Sequence, residues 1–340
     1  MYKWLVLLIV PILLIGVFYS KAPQQTKDNI STITPTSDPI STPTPDPSSP
    51  LYLETLVNRV YPATDIQIEK TLTSESNYKR YIASYLSDGY KINGLLTIPN
   101  GDKPEEGFPS IIFLHGYLNP KTYQTTARYV AYQDGFARNG FITFKPDLRG
   151  HGTSEGEAVN SHFSQIYVID TLNLISALKK YKEANPKLIG IWGHSNGGGI
   201  TMRVLTISPD IKAAVIWAGV VGSYEDMIIT YRNQIPWMNG DNFPYDLIQK
   251  YGQPSQTSPF WSKIDSYSYI SNITAPVQLH HGTADKSVPI ELSRHFSQVL
   301  EKNTKSVELF EYPNGDHNIA SPHFAQAMER SITFFKKYLQ

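Results

Sequence analysis

The sequence predicts an α/β fold: a mostly parallel sheet with helices on both faces, an antiparallel hairpin at its N-terminal side and an inserted, aromatic-rich cap. Three observations carry this. First, from residue 51 onward, short β-branched and aromatic runs alternate with segments of helical periodicity, the pattern of strand-helix-strand crossovers packed around one sheet. Second, the runs 111–114, 141–144, 188–192 and 213–217 are apolar through almost their whole length, as strands buried on both faces must be. Third, the strand-like runs 66–72, 78–86 and 92–98 come before them, and Asp88-Gly89 between the last two is a hairpin-turn pair.

The helices follow from periodicity. Segments 123–138 and 165–181 repeat apolar residues at three and four positions, as in Val168, Leu172, Ile175 and Leu178. Strands at 277–280 and 307–312 flank a helix near 291–300, and a last helix covers 324–339. There is no internal repeat. The stretch 222–274 is far longer than a crossover needs and carries ten Tyr, Trp and Phe residues, among them Trp237, Phe260 and Trp261. It reads as a cap over the sheet edge, with most of its rings forming the cap's own core.

Composition narrows the function. Thirty basic residues balance thirty acidic ones, so the chain offers no electrostatic footprint for nucleic acid. The absence of cysteine removes disulfides, thiolate metal sites and cysteine nucleophiles together. The nine histidines include no pair at metal-ligand spacing with a nearby carboxylate, so no metal or other cofactor is expected. At the N-terminus, residues 4–19 form an uninterrupted apolar run behind Lys3. It reads as a signal anchor or a signal peptide within residues 1–21. The run is short for a span and contains Pro11, while Pro23 would follow the only small-x-small cleavage candidate, Ser20-Lys21-Ala22. Either way the rest of the chain is expected outside the membrane, anchored to it or secreted. Residues 22–50 are rich in Pro, Ser and Thr and read as an extended linker to a domain at 51–340.

Chemistry is concentrated in three strand-end turns. Gly193-His194-Ser195-Asn196-Gly197 follows the 188–192 strand and leads into a helix-like segment ending near Ser208. By chance a Gly-x-Ser-x-Gly pattern arises on the order of 0.1 times per chain of this length, so the strand-to-helix context supplies the specificity. A sharp turn there lifts a serine hydroxyl above the strand ends, and Gly193 and Gly197 permit the close helix approach. A serine is a poor nucleophile until a base takes its proton, and the base needs an orienting carboxylate. Asp285 in His281-Gly282-Thr283-Ala284-Asp285 and His317 in Gly315-Asp316-His317 each lie just past a predicted strand. The order Ser195, Asp285, His317 puts all three at one sheet edge. Alternatives are a turn carboxylate for Asp285, a loop histidine for His317, and Asp316 as a rival acid. The loop His115-Gly116-Tyr117 after 111–114 can supply an oxyanion donor, and the backbone amides of Tyr117 and Asn196 are the expected pair, with His115 structural. Asp147 and Arg149, in Asp147 to Ser154, are expected to knit neighbouring strand-end loops.

These motifs resemble the α/β-hydrolase superfamily, and within it the catalytic domain of the prolyl oligopeptidase family and dienelactone-hydrolase-like esterases. The resemblance covers 81–340 and rests on Ser87-Asp88-Gly89, His115-Gly116-Tyr117, Asp147 to Gly152, Gly193 to Gly198, His281 to Pro289 and Asp316-His317. It implies an α/β-hydrolase fold and a serine hydrolase acting on a small-molecule ester or short peptide. Only about forty residues separate the linker from the hydrolase, whereas a β-propeller of four-stranded blades needs far more. A carboxylic ester is therefore the favoured substrate, a prolyl-oligopeptidase-like peptidase the second reading, and a surface-anchored binding module without catalysis the rival from another class.

Overall fold

The computed structural model describes residues 50–240 and 243–340. The expected N-terminal membrane segment and all of the linker but Pro50 lie outside the described residues. Among the described residues no helix is long and apolar enough to cross a membrane.

Nine strands form one sheet: β1 (Gln67–Thr71), β2 (Tyr78–Ser87), β3 (Tyr90–Pro99), β4 (Phe108–Leu114), β5 (Ile142–Pro146), β6 (Ala184–His194), β7 (Ile211–Trp217), β8 (Val277–Gly282) and β9 (Val307–Tyr312). Their order is β1-β2-β3-β5-β4-β6-β7-β8-β9. β1, β2, β3 and β5 pair antiparallel, and from β5 to β9 every pair is parallel. The β2–β3 hairpin turns on Asp88 and Gly89, both at positive φ (52° and 83°), as a two-residue turn matched to strand twist demands. This is the α/β-hydrolase architecture.

The central strands feed two cores because successive side chains point to opposite faces. Phe113, Trp192 and Val215 are in register across β4, β6 and β7 and lie in one core. Their neighbours Ile112, Ile191 and Ala214 are likewise in register and lie in the other. Helices α2 (Val130–Ala137) and α8 (Phe324–Leu339) cover the first face through Phe136, Phe334 and Phe335. Helices α3 (Ile166–Lys180), α4 (Asn196–Ile207) and α7 (Ile290–Lys302) cover the second through Val168, Leu172, Val204 and Phe296, joined by the short α1 (Leu53–Val57). Trp192 stacks on Phe113 with ring centroids 4.2 Å apart. Truncating such a buried indole costs about 3–5 kcal/mol, so strand pairing and core are specified together.

One expected helix is much shorter than the periodicity of 123–138 implies. Residues 123–129 are not helical, and α2 begins only at Val130. Side-chain anchors overrule helical propensity here. Tyr123 and Thr125 both donate hydroxyl hydrogen bonds to Asp147, at 3.0 and 2.5 Å. The buried Lys145 ammonium donates to the carbonyls of Ala127 and Arg128, at 3.2 and 3.3 Å. Arg128 and Tyr129 are left at φ 60° and 55°, a region that breaks a right-handed helix.

The 222–274 stretch contains only short helical turns, including α5 (Tyr245–Tyr251) and α6 (Trp261–Ile264). Most of its rings pack on one another: Tyr224, Phe260 and Trp261 sit in a third core with Met227, Ile228 and Ile235. Tyr245 is exposed, and Trp237 is the ring that reaches the site described below.

Asp147 ties the 123–129 loop to the end of β5, whereas Arg149 is engaged elsewhere. Arg149 reaches back to Asp170 on α3, with Nη2 2.5 Å from Oδ1, and the pair is almost completely buried. The Ser87 hydroxyl also donates to Asp170, and the guanidinium lies over the Tyr90 ring. Burial pushes the Asp170 carboxyl above its usual range in spite of Arg149, so desolvation consumes much of the attraction. Arg149→Ala should therefore lower unfolding stability by about 3–5 kcal/mol in urea titration, whereas the double change Arg149→Met with Asp170→Leu should recover most of that loss.

Candidate active site

The parallel half of the sheet brings the ends of β6, β8 and β9 to one edge, and the three expected residues leave from those ends. Ser195 occupies the single residue between β6 and α4, at φ 54° and ψ −117°. This conformation is held from both sides. The Ser195 amide donates to the Trp217 carbonyl at 3.0 Å, and the Ser195 carbonyl accepts from the amides of Gly198 and Val220, each at 3.0 Å. The turn also needs its glycines. A Cβ on Gly197 would run into the Leu114 carbonyl, and one on Gly193 would meet Thr201 Oγ1.

Asp285 lies past β8 and is completely buried as a side chain. His317 Nδ1 donates to its Oδ2 at 2.7 Å, and His281 Nε2 donates to the same oxygen at 3.1 Å. Its Oδ1 accepts from the amides of Ser287 and Val288, at 2.7 and 3.0 Å. Burial alone would push this carboxyl up, but the hydrogen bonds from His281, His317 and the backbone overcome it, holding Asp285 well below the usual carboxylate range. Asp316 takes no part in this. Its Oδ1 accepts from the amides of Asn318 and Ala320 and caps its own loop.

His281 is the partner that sequence reasoning missed. Its Nε2 serves Asp285 and the Val288 carbonyl, while Nδ1 lies 2.7 Å from Ser293 Oγ on α7. Its separation of four residues from Asp285 is an ordinary turn spacing, so only the fold reveals it.

Ser195 and His317 line one cavity of about 780 Å³. No hydrogen bond joins their side chains in this conformation; with Nδ1 engaged by Asp285, His317 Nε2 is the ring's bare nitrogen. Tyr117, Asn196 and Trp237 line the same cavity, Tyr117 with its ring largely exposed. Asn196 is the first residue of α4, so its amide has no partner within the helix. Among the described residues neither the Asn196 nor the Tyr117 amide is taken by another group. The Asn196 side-chain oxygen accepts from the Ser161 hydroxyl.

The wall is aromatic, with Trp237 stacked on His162 at 4.7 Å between centroids. Burial pulls His115, His162 and His194 down to about 3, which keeps these rings neutral near pH 7. His115 Nδ1 donates to the Gly116 carbonyl at 2.7 Å and holds the loop's shape. Among the described residues, Arg128 is the one Asp, Glu, Lys or Arg that lines the cavity.

Known proteins resemble this chain in sequence or in fold. The sequence profile of the prolyl oligopeptidase family matches residues 128–340. An uncharacterized peptidase of Bacillus subtilis (strain 168), YtmA, is 27% identical over 256 residues, which are 73% of this chain and 90% of that protein. Dipeptidyl peptidase 4 of Bos taurus is 26% identical over 196 residues, 56% of this chain but only 24% of that longer protein. In fold, an acetyl xylan esterase from Paenibacillus sp. R4 superposes with a TM-score of 0.61 at 19% identity, covering 84% of this chain and 92% of that one. With more than half of its length matched by the family profile, the chain belongs to the prolyl oligopeptidase family and is a serine hydrolase of the esterase or peptidase type.

Proposed function

We propose that the chain hydrolyses a carboxylic ester through an acyl-enzyme, with Ser195 as nucleophile, His317 as general base and acid, and Asp285 as the group that orients and charges against the imidazole. The observation that carries this reading is the 2.7 Å hydrogen bond from His317 Nδ1 to buried Asp285, beside the cavity into which Ser195 opens. Ser195 Oγ attacks the ester carbon as its proton passes to His317 Nε2; the imidazolium then protonates the departing alcohol. Water repeats the sequence in reverse and frees the acid. The amides of Tyr117 and Asn196 receive the oxyanion, each worth about 3 kcal/mol in the transition state. The hydroxyl-to-imidazole hydrogen bond forms as substrate enters, since such bonds are often long or misaligned in free enzymes.

The choice of ester over peptide rests on the charge of the cavity. Enzymes that trim short peptides from the amino end must receive an ammonium group, and burying one without a carboxylate is costly. Among the described residues the cavity wall carries no Asp or Glu. An aromatic wall closed by Trp237 suits a neutral acyl or alcohol group. The apolar run 4–19 supports an exported enzyme tethered by its N-terminus.

Ser195→Ala should abolish labelling by a fluorophosphonate probe and lower kcat/KM for p-nitrophenyl acetate by about 10⁵-fold or more. Asp285→Asn should lower kcat by about 10⁴-fold with the fold intact by circular dichroism, because the amide no longer selects the productive tautomer. In a parallel panel of short acyl esters and proline-containing peptide amides, turnover should be found on the esters; activity confined to the peptides reverses the assignment. Protease added to intact cells should remove the enzyme's activity, and full protection would place the domain on the other side of the membrane.

A further inference from the structure

The residue before the proposed nucleophile, His194, lies outside the Ser195, His317 and Asp285 set, yet it touches two of the site's loops. Its Nε2 is 2.9 Å from the His317 carbonyl oxygen, and its Nδ1 is 2.7 Å from the Tyr129 hydroxyl. That same hydroxyl accepts from the Gly116 amide at 2.9 Å. Chemistry fixes the direction of every link. A carbonyl can only accept, so Nε2 carries the ring proton. Burial and the neighbouring His317 keep His194 neutral, which leaves Nδ1 bare. The Tyr129 hydroxyl must then donate to Nδ1, and its oxygen is free to accept from Gly116. One directed chain results: Gly116 N–H to Tyr129, Tyr129 O–H to His194, and His194 N–H to the His317 carbonyl.

The ends of this chain are the two loops that have to meet at Ser195. Gly116 adjoins Tyr117, whose amide is the proposed oxyanion donor, and a Cβ on Gly116 would come within 3.1 Å of Ser195 Cβ. His317 carries the base. His194 itself is covalently adjacent to the nucleophile. Placing the Tyr129 hydroxyl demands a left-handed backbone at Arg128 and Tyr129, held by the buried Lys145 ammonium on the carbonyls of Ala127 and Arg128. Such strain persists only where surrounding contacts over-determine it.

We propose that Tyr129 and His194 are positioning residues that set the oxyanion loop and the His317 backbone against the nucleophile turn, so that losing either slows acylation without weakening substrate capture. The proposal rests on the reading of Ser195 and His317 given above. Neither side chain exchanges a proton with substrate. They act through the Gly116 amide and the His317 carbonyl, and a misplacement of about 1 Å at such a site can cost on the order of 100-fold in rate.

The test measures kcat and KM on p-nitrophenyl acetate for the full-length chain, with competent sites counted by fluorophosphonate labelling taken to saturation. Tyr129→Phe removes the shared hydroxyl. His194→Asn keeps an acceptor facing Tyr129 but cannot reach the His317 carbonyl, whereas His194→Gln puts an amide N–H near the position of Nε2. Tyr129→Phe and His194→Asn should lower kcat per labelled site by about 10- to 100-fold, with KM changed by less than about threefold. His194→Gln should recover a large part of the loss seen with Asn. If Tyr129→Phe and His194→Asn keep kcat per labelled site within about threefold of the parent while Ser195→Ala is inactive, the positioning role is overturned and the catalytic reading stands. A loss that falls entirely on KM or on the number of labelled sites, or a Gln variant no better than Asn, also overturns it. Ser195→Ala turning over at the parent rate would instead remove the catalytic reading itself.

Discussion

The structure depends on one constraint above the others: a non-glycine residue, Ser195, held at φ 54° between a strand and a helix. Left to itself that backbone costs on the order of 1–3 kcal/mol. It persists because the Ser195 amide and carbonyl are bound to β7 and to the segments on either side, and because Gly193 and Gly197 let α4 press against the ends of β4 and β6. The consequence is geometric. The hydroxyl is raised over the sheet edge, and the first amide of α4 is left free beside it, so the proposed nucleophile and anion donor come from one turn.

Burial then divides the titratable groups by role. Histidines 115, 162 and 194 lose so much hydration that they stay neutral, the first and last as fixed hydrogen-bonding rings and His162 as a flat partner for Trp237. Asp285 is buried too, yet four hydrogen bonds from two imidazoles and two amides keep it ionised. The result is one carboxylate with a persistent charge against one imidazole that opens to the cavity. Burying a single negative charge behind the imidazole, in low-dielectric surroundings, is what makes it effective at short range. The aromatic stretch 222–274 gives the cavity one ring, Trp237, while most of its other rings pack in its own core.

Much of this was legible along the chain because it depends on local pattern. The apolar runs gave the strands, for they are buried on both faces and so could not be anything but hydrophobic. The Gly-x-Ser-x-Gly turn was recognisable because its glycines answer a steric demand within five residues, and Asp285 and His317 because each follows a strand end by a few positions. The failure over 123–138 has an equally physical origin. Its periodicity is real, but Tyr123, Thr125 and the carbonyls of Ala127 and Arg128 are claimed by Asp147 and Lys145, partners on and just past β5.

By itself, then, the sequence determined the alternating architecture, the glycine-flanked turn at Ser195 and the candidate acid and base, since each is set by spacing, apolar period or a glycine at a crowded turn. Only the tertiary structure decided which carboxylate holds His317, that His281 shares Asp285, that Arg149 pairs with Asp170, and that Tyr129 and His194 link the Gly116 and His317 loops beside Ser195. Those are hydrogen bonds between groups up to 123 residues apart. Their partners are chosen by the packing of the sheet edge, and no periodicity in the chain encodes that choice.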